Sequence, residues 1–439
     1  MKKIRVFWLI LLLTLSVFSR NTLAVEPLKI GPDGYGKTTL PNGITVLVNE
    51  DKTTSLSSAR ILVGGGVLTE TAANNGTGNL MIRMLLKGNS AMNAEQITAQ
   101  LDFFGASVSA NCYRDFTDIS FTSLTENFDK VLEIISNSLT TPTFSAEELS
   151  KLKSEVEGEI KASNDDQSTV SSMLFWKTAY GNEGYGLPLL GTLESIARPT
   201  VEDLRQHCQK YVGGSNMVVA VATDLPVEQL MTTLEKRLGK IKPAADKIPA
   251  PTLKRETSRT GFISFDRNQS YIFMGFVLDR QQPRELACIN LLNQVMGANV
   301  GSRLWDLRQK EKLAYDVYTH WGASGHATIF RAAIGTDTSK VKQALASLDR
   351  EWTKLLSSGI TEDELADAKV NMKNSLIYGI DRKAGRAGNM AFYEYIGYGY
   401  RFILDQIAMA DQITLAQVND FIKTKLAADR IYTSIVGKK

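Results

Sequence analysis

Histidine is the side chain most often used to bind a metal or move a proton near neutral pH, and this sequence of 439 residues holds three: His207, His320 and His326. None stands four residues from another, so no helix turn can aim two imidazoles at one ion. His207, beside Cys208, reads as structural. His320 and His326 flank Trp321-Gly322-Ala323-Ser324-Gly325 in a strand–turn–strand pattern, and a metal pair there lacks a nearby carboxylate or thiolate. Cys112, Cys208 and Cys288 are odd in number and widely spaced, which fits buried thiols and not a disulfide framework or a Cys-x-x-Cys site. No G-x-S-x-G elbow presents a serine nucleophile. Gly64-Gly65-Gly66 lacks the G-K-[ST] ending of a phosphate loop and reads as a strand terminus.

The chain around these residues is long and 43% hydrophobic, enough for two or three domains with a large core. Its formal charge is +3, but Lys2, Lys3, Arg5 and Arg20 supply four of the cations, and the remainder sits near −1. That balance gives no basic body for nucleic acid. The same N-terminal stretch has the form of a secretory signal: a basic start, an apolar run from Val6 to Phe18, and Thr22-Leu23-Ala24 as a small-residue cleavage site. The run is too short to span a bilayer comfortably. The expectations are a signal peptide over 1–24, a periplasmic location and no stable membrane anchor.

Beyond residue 24 the chain reads as one fold written twice. Residues 241–261, with Pro243, Pro249 and Pro251, form a weakly periodic linker between domains spanning 25–240 and 262–439. TFSAEELSKLKSEVEGEI from Thr143 matches GITEDELADAKVNMKNSL from Gly359, each with a Ser or Thr cap and acidic residues in the first helical turn. TVEDL from Thr200 and TLAQV from Thr414 each precede a helix and then a strand, Met217 to Val221 and Ile431 to Val436. At the front, Pro41-Asn42-Gly43 predicts a hairpin within 38–48, and Ser57 to Val67 a further strand. Amphipathic helices are predicted over 78–86, 94–104, 127–139 and 146–162. Strands, long helices, then strands again predict an α+β class, with helices packed on an antiparallel-rich sheet in each domain.

The opening KTTLPNGITVLVNED, the strand with its glycine run, GTGNLMIRMLLKGN and the later GSRLWDLRQKEKLAYDVY together resemble the insulinase, pitrilysin and mitochondrial processing peptidase family, over about residues 37–437. The resemblance implies half of a clamshell built from two homologous domains. Enzymes of the family carry H-x-x-E-H on a helix, two imidazoles for Zn²⁺ and a carboxylate for the attacking water, with a distant Glu as third ligand. The matching positions here are Asn79, Ile82 and Arg83. An amide is a feeble ligand, isoleucine takes no proton, and arginine is a permanent cation. The third-ligand position matches Glu159, still acidic, which is equally readable as a solvated helix carboxylate beside Glu155 and Glu157. An Arg83–Glu159 salt bridge is expected in the metal's place.

By the same match, Arg308 and Tyr315 occupy the family's C-terminal Arg/Tyr motif, whose donors reach across a central chamber to the bound peptide. The plainer reading makes Arg308 a helix-surface cation and Tyr315 a half-buried strand aromatic. Tyr318 is the alternative aromatic; Arg303 and Arg267 are weaker basic candidates. The aromatic stretch of Tyr393, Tyr395, Tyr398 and Tyr400 suits a chamber lining and core packing alike. The implied function is a non-catalytic subunit that binds no cofactor of its own. A homologous partner would carry H-x-x-E-H and the zinc, and the substrate would be a peptide. The alternative is a structural or peptide-binding clamshell with no role in proteolysis, and an enzyme with a different metal site has no ligands to support it.

Overall fold

The computed structural model describes residues 28–438 except 245–247, 249–250, 252 and 299, so the expected signal peptide lies outside the described residues. The first sheet is built from β1 (Tyr35–Thr39), β2 (Thr45–Glu50), β3 (Leu56–Gly64), β4 (Ser107–Cys112), β5 (Phe116–Leu124) and β6 (Met217–Thr223). The second uses β7 (Thr260–Ser264), β8 (Gln269–Asp279), β9 (Ala314–Ala323), β10 (Ala327–Asp337) and β11 (Ile431–Gly437). Their orders are β1-β2-β6-β3-β5-β4 and β7-β11-β8-β10-β9. With β1 set aside, the two orders are the same, and each sheet contains one parallel pair, β2 with β6 and β7 with β11. The class is α+β, and the duplication seen in the sequence is a duplication of topology.

Local signals act where the sequence places them. Gly43 takes φ 91 in the β1–β2 turn, a conformation that a side chain would oppose. Thr200 with Asp203, Thr361 with Glu364 and Thr414 with Gln417 form reciprocal caps that satisfy free N–H groups at helix starts. The strand β7 begins at Thr260, inside the segment read as linker, and described residues near both ends of that segment meet the body: Ile241 is buried and the Glu256 N–H donates to the Ala179 carbonyl at 2.8 Å.

Each sheet has two apolar faces, and its own half covers only one. Val46, Ile61, Val63 and Ile119 of the first sheet join helices of the N-terminal half. The opposite face, with Leu47, Leu62, Val218 and Ala220, is covered by Ala387, Met390 and Ala391 of the C-terminal helix Lys383–Tyr395. The second sheet mirrors this: Phe330, Ala332 and Ile334 meet C-terminal helices, whereas Phe273, Ile329 and Tyr432 meet Phe175, Trp176 and Tyr180 of the N-terminal helix Gln167–Tyr180. Polar bonds pin both exchanges. Lys383 Nζ donates to the carbonyls of Thr54 and Leu56 at 2.7 and 2.8 Å, and Ser434 Oγ donates to the Ser171 carbonyl at 2.8 Å. Among the described residues, no helix is long and apolar enough to cross a membrane.

The exchange predicts that the halves unfold together. Phe175→Ala, which opens a hole between the donated helix and the second sheet, is expected to cost about 3–5 kcal/mol. Denaturant unfolding followed by fluorescence and by circular dichroism should give one shared transition; two separated transitions would contradict the coupling.

Candidate functional site

The helix Thr77–Met84 starts from Gly76 at φ 93 and is capped from outside by Glu70, which accepts from the Gly76 and Gly78 N–H groups at 2.9 and 2.7 Å and from Asn75 Nδ2 at 2.8 Å. A carboxylate at a helix N-terminus meets both free donors and the dipole. Burial pushes the Glu70 carboxyl above its ordinary range, against the pull of those bonds. From this anchored helix, Asn79 and Ile82 turn inward and are buried, while Arg83 reaches the neighbouring helix Ala146–Asp165. Its Nη1 and Nη2 donate to the two Glu159 oxygens at 2.9 and 2.8 Å, a bidentate pair, and Glu155 stands 3.6 Å away. The expected pair is formed. It is not sealed from water, since the side chains are 20% and 44% exposed. It is therefore a modest pin, worth about 1 kcal/mol or less.

Arg83 and Glu159 stand on the wall of a cavity of about 1150 Å³. Asn79 and Arg114 line it from the N-terminal half, and Tyr318 and Arg331 from the C-terminal half. The two principal candidates lie elsewhere. Arg308, in the short helix Trp305–Gln309, is exposed and rests over the Trp305 ring at 5.2 Å. Tyr315 is 64% exposed. It sits where the β9–β10 register slips: Asp316 faces Gly335 and Ala314 faces Thr336, leaving Tyr315 unopposed. Such a bulge re-aims a side chain. The structure thus departs from the plainer reading of Tyr315 as half-buried. Arg303 is committed to Glu364 at 2.6 and 2.7 Å, and Arg267 lies 5.7 Å from the Phe265 ring. Tyr393 and Tyr395 are used in packing, the latter donating to the Asp115 carbonyl at 3.1 Å.

A sequence profile for the insulinase family, peptidase family M16, matches residues 45–193, and one for the peptidase M16 inactive domain matches residues 199–372. The chain belongs to peptidase family M16. A Bacillus subtilis (strain 168) protein named uncharacterized zinc protease YmxG is 26% identical, across 89% of this chain and 95% of its own length. The non-peptidase homolog YmxG of Helicobacter pylori is 23% identical, across 86% of this chain and 87% of its own. The crystal structure of a peptidase M16 inactive domain from Pseudomonas fluorescens has the same fold, with a TM-score of 0.84 at 21% identity, covering 92% of this chain and 98% of that one.

M16 enzymes use zinc, and the residues here do not fit it. Asn79 offers an amide whose buried Nδ2 has no partner, Ile82 offers no lone pair, and Arg83 offers a cation already engaged with Glu159. The histidines do not compensate. His320 lies on β9 and His326 in the following turn. His207 packs at a tilt against Tyr211, ring centres 4.6 Å apart, and burial lowers it to about 4. Sequence reasoning passed over Arg114 and Arg331. A signal was present for the second, a lone Arg inside the apolar run Ala327 to Ile334.

Two outcomes follow. The purified chain should carry no stoichiometric zinc by elemental analysis, whereas the triple variant Asn79→His, Ile82→Glu, Arg83→His should take up one, because Glu159 already stands beside the helix. One tightly held zinc in the unaltered chain would contradict this. His207 sets a pH limit. Its folded value, about 4, lies below the ordinary 6.5, so the unfolded chain takes up a proton first as pH falls. Stability should be complete above pH 6.5 and decline between 6.5 and 4. His207→Gln should flatten that decline in chemical unfolding measured across the range.

Proposed function

We propose that this chain is the non-catalytic subunit of a heterodimeric periplasmic zinc endopeptidase. In this reading it lends Arg308 and Tyr315 to the active site of a homologous partner that carries H-x-x-E-H. The observation that carries the reading is the state of those two side chains. The charges around them are committed: Asp306 to Lys310 at 2.7 Å, Glu311 to Arg350 at 2.6 Å, and Arg303 to Glu364 at 2.6 Å. Arg308 and Tyr315 are exposed, and neither has a hydrogen-bond or ion-pair partner among the described residues. A free guanidinium on a surface helix and a free phenol at a bulge are poor contributors to stability and good contributors to a site formed by another surface.

The chemistry they would lend is hydrogen bonding. When peptide-bond attack puts negative charge on the carbonyl oxygen, a guanidinium and a phenol held nearby stabilise it. The zinc, when bound in the partner, supplies the activated water. A chain whose own helix carries Asn79, Ile82 and Arg83 gains a role in hydrolysis only through such a partner. The periplasmic assignment rests on the basic and apolar N-terminal residues and on Ala24 as the cleavage position.

With a catalytic partner, Arg308→Ala and Tyr315→Phe should each lower turnover by roughly 10²–10³ while the complex still assembles. Peptide cleavage and size-exclusion chromatography read the two effects separately. Full activity in both variants would remove the assignment.

A further inference from the structure

The cavity between the halves holds two arginines without carboxylate partners. Arg331, midway along β10, is only 6% exposed. Its Nη2 donates to Ser172 Oγ at 2.8 Å, while Nε and Nη1 have no partner. Its guanidinium carbon lies 4.0 Å from the Phe273 ring centre and 4.9 Å from that of Phe175. Gly275 faces it in register, and a Cβ there would stand 2.4 Å from the Arg331 Cα, so the opposing strand is bare where the arginine sits. From the other half, Arg114 lies over Trp176 at 4.1 Å, and its Nε is also unpartnered. Asp115, the next residue, accepts from the Tyr185 hydroxyl and from the Gly325 N–H instead. The two guanidiniums thus rest on adjacent aromatics of the same donated helix.

Stacking on aromatic faces is a weaker effect than burying an unpaired cation, so it does not by itself account for this arrangement. The cations also oppose each other. Burial and Arg114 lower Arg331 to about 10, and it keeps its proton at neutral pH. The surroundings have the same sign. The cavity lining carries Arg83, Arg114, Lys177 and Arg331 against one carboxylate, Glu159, which Arg83 neutralises. Of twelve buried side-chain polar atoms without partners among the described residues, five belong to lining residues, and four of those five are donors: Asn79 Nδ2, Arg114 Nε, and Arg331 Nε and Nη1. Buried donors without partners, net positive charge and apolar walls favour an anion beside Arg331 and Arg114, at the edge of a cavity large enough for several residues of extended chain.

We propose that this cavity binds a peptide segment through a carboxylate held by Arg331 and Arg114. That the carboxylate belongs to a peptide rests on the function proposed above; that the ligand is an anion rests on the two guanidiniums. The carboxylate is either a chain terminus or an acidic side chain, and the shared chemistry is a planar oxyanion that accepts two N–H bonds from one arginine. This is a different place from Arg308 and Tyr315, and it lies wholly within one chain.

The test uses the purified chain without a partner and three fluorescent alanine-rich hexapeptides with blocked N-termini. One ends in a free carboxylate, one in an amide, and one in an amide with a single internal Asp. Anisotropy should show the first or the third binding at least about tenfold more tightly than the second. The first binding assigns a chain terminus and the third a side chain, and either supports the proposal. Arg331→Met and Arg114→Gln should each weaken that binding about tenfold or more, and Arg331→Met should melt no lower than the unaltered chain, because it relieves an unpaired buried charge. Equal binding of the amide, or no binding by any peptide, would overturn the proposal. So would an Arg331→Met chain that melts well below the original while Arg114→Gln binds normally, since the pair would then be structural. Because no partner is present, failure here leaves the Arg308 and Tyr315 reading standing.

Discussion

The exchange of one helix between the halves is the constraint on which the rest of this structure depends. A five- or six-stranded sheet with apolar side chains on both faces cannot stand in water with one face bare. Each half leaves such a face, and each is covered from the other half, by Gln167–Tyr180 on the second sheet and Lys383–Tyr395 on the first. The duplication is therefore not two beads on a string. Each domain's core is completed by its neighbour, and the burial of Ile241 and the Glu256–Ala179 hydrogen bond accompany that embrace.

The same constraint builds the interior between the halves. Phe175 and Trp176 reach the second sheet on the donated helix and there meet Arg331 and Arg114. Asp115, Tyr185 and Gly325 form a polar node across the boundary. Elsewhere on the cavity lining, Arg83 and Glu159 hold two helices together with a pair that water still reaches. That pair leaves no lone-pair set for a metal. The chain keeps the M16 architecture while its own helix has become a structural element, which directs attention to the surfaces where donors remain free.

Local chemistry was legible in the sequence, and long-range closure was not. The Pro41-Asn42-Gly43 turn, the Ser and Thr caps and the duplicated segments are read from nearest neighbours, and the structure places them as expected. The Arg83–Glu159 pair was also readable, because two positions that converge on one ion in the family must converge here; its exposure could be read either way, as a metal-site position or a solvated carboxylate, since that depends on how the packed helices open to solvent. The helix exchange left no mark in the order of elements. Gln167–Tyr180 is buried along most of its length in the structure, and its own residues do not name the sheet that it covers. The bulge at Tyr315 arises from a register slip against Gly335 and Thr336, a pairing that no single strand encodes. Arg331 could be seen as a charge in an apolar strand, but its lack of a counter-ion is a property of the assembled cavity.

The central claim is that this M16 chain contributes to hydrolysis only through another subunit. Its most direct test is reconstitution. The chain, a homologous partner with an intact H-x-x-E-H, and their equimolar mixture are assayed side by side on one fluorogenic peptide library with zinc present. The account predicts cleavage by the mixture far above the sum of the separate proteins, with none by this chain alone. Cleavage by this chain alone, or a partner whose activity is unchanged by its addition, would contradict it.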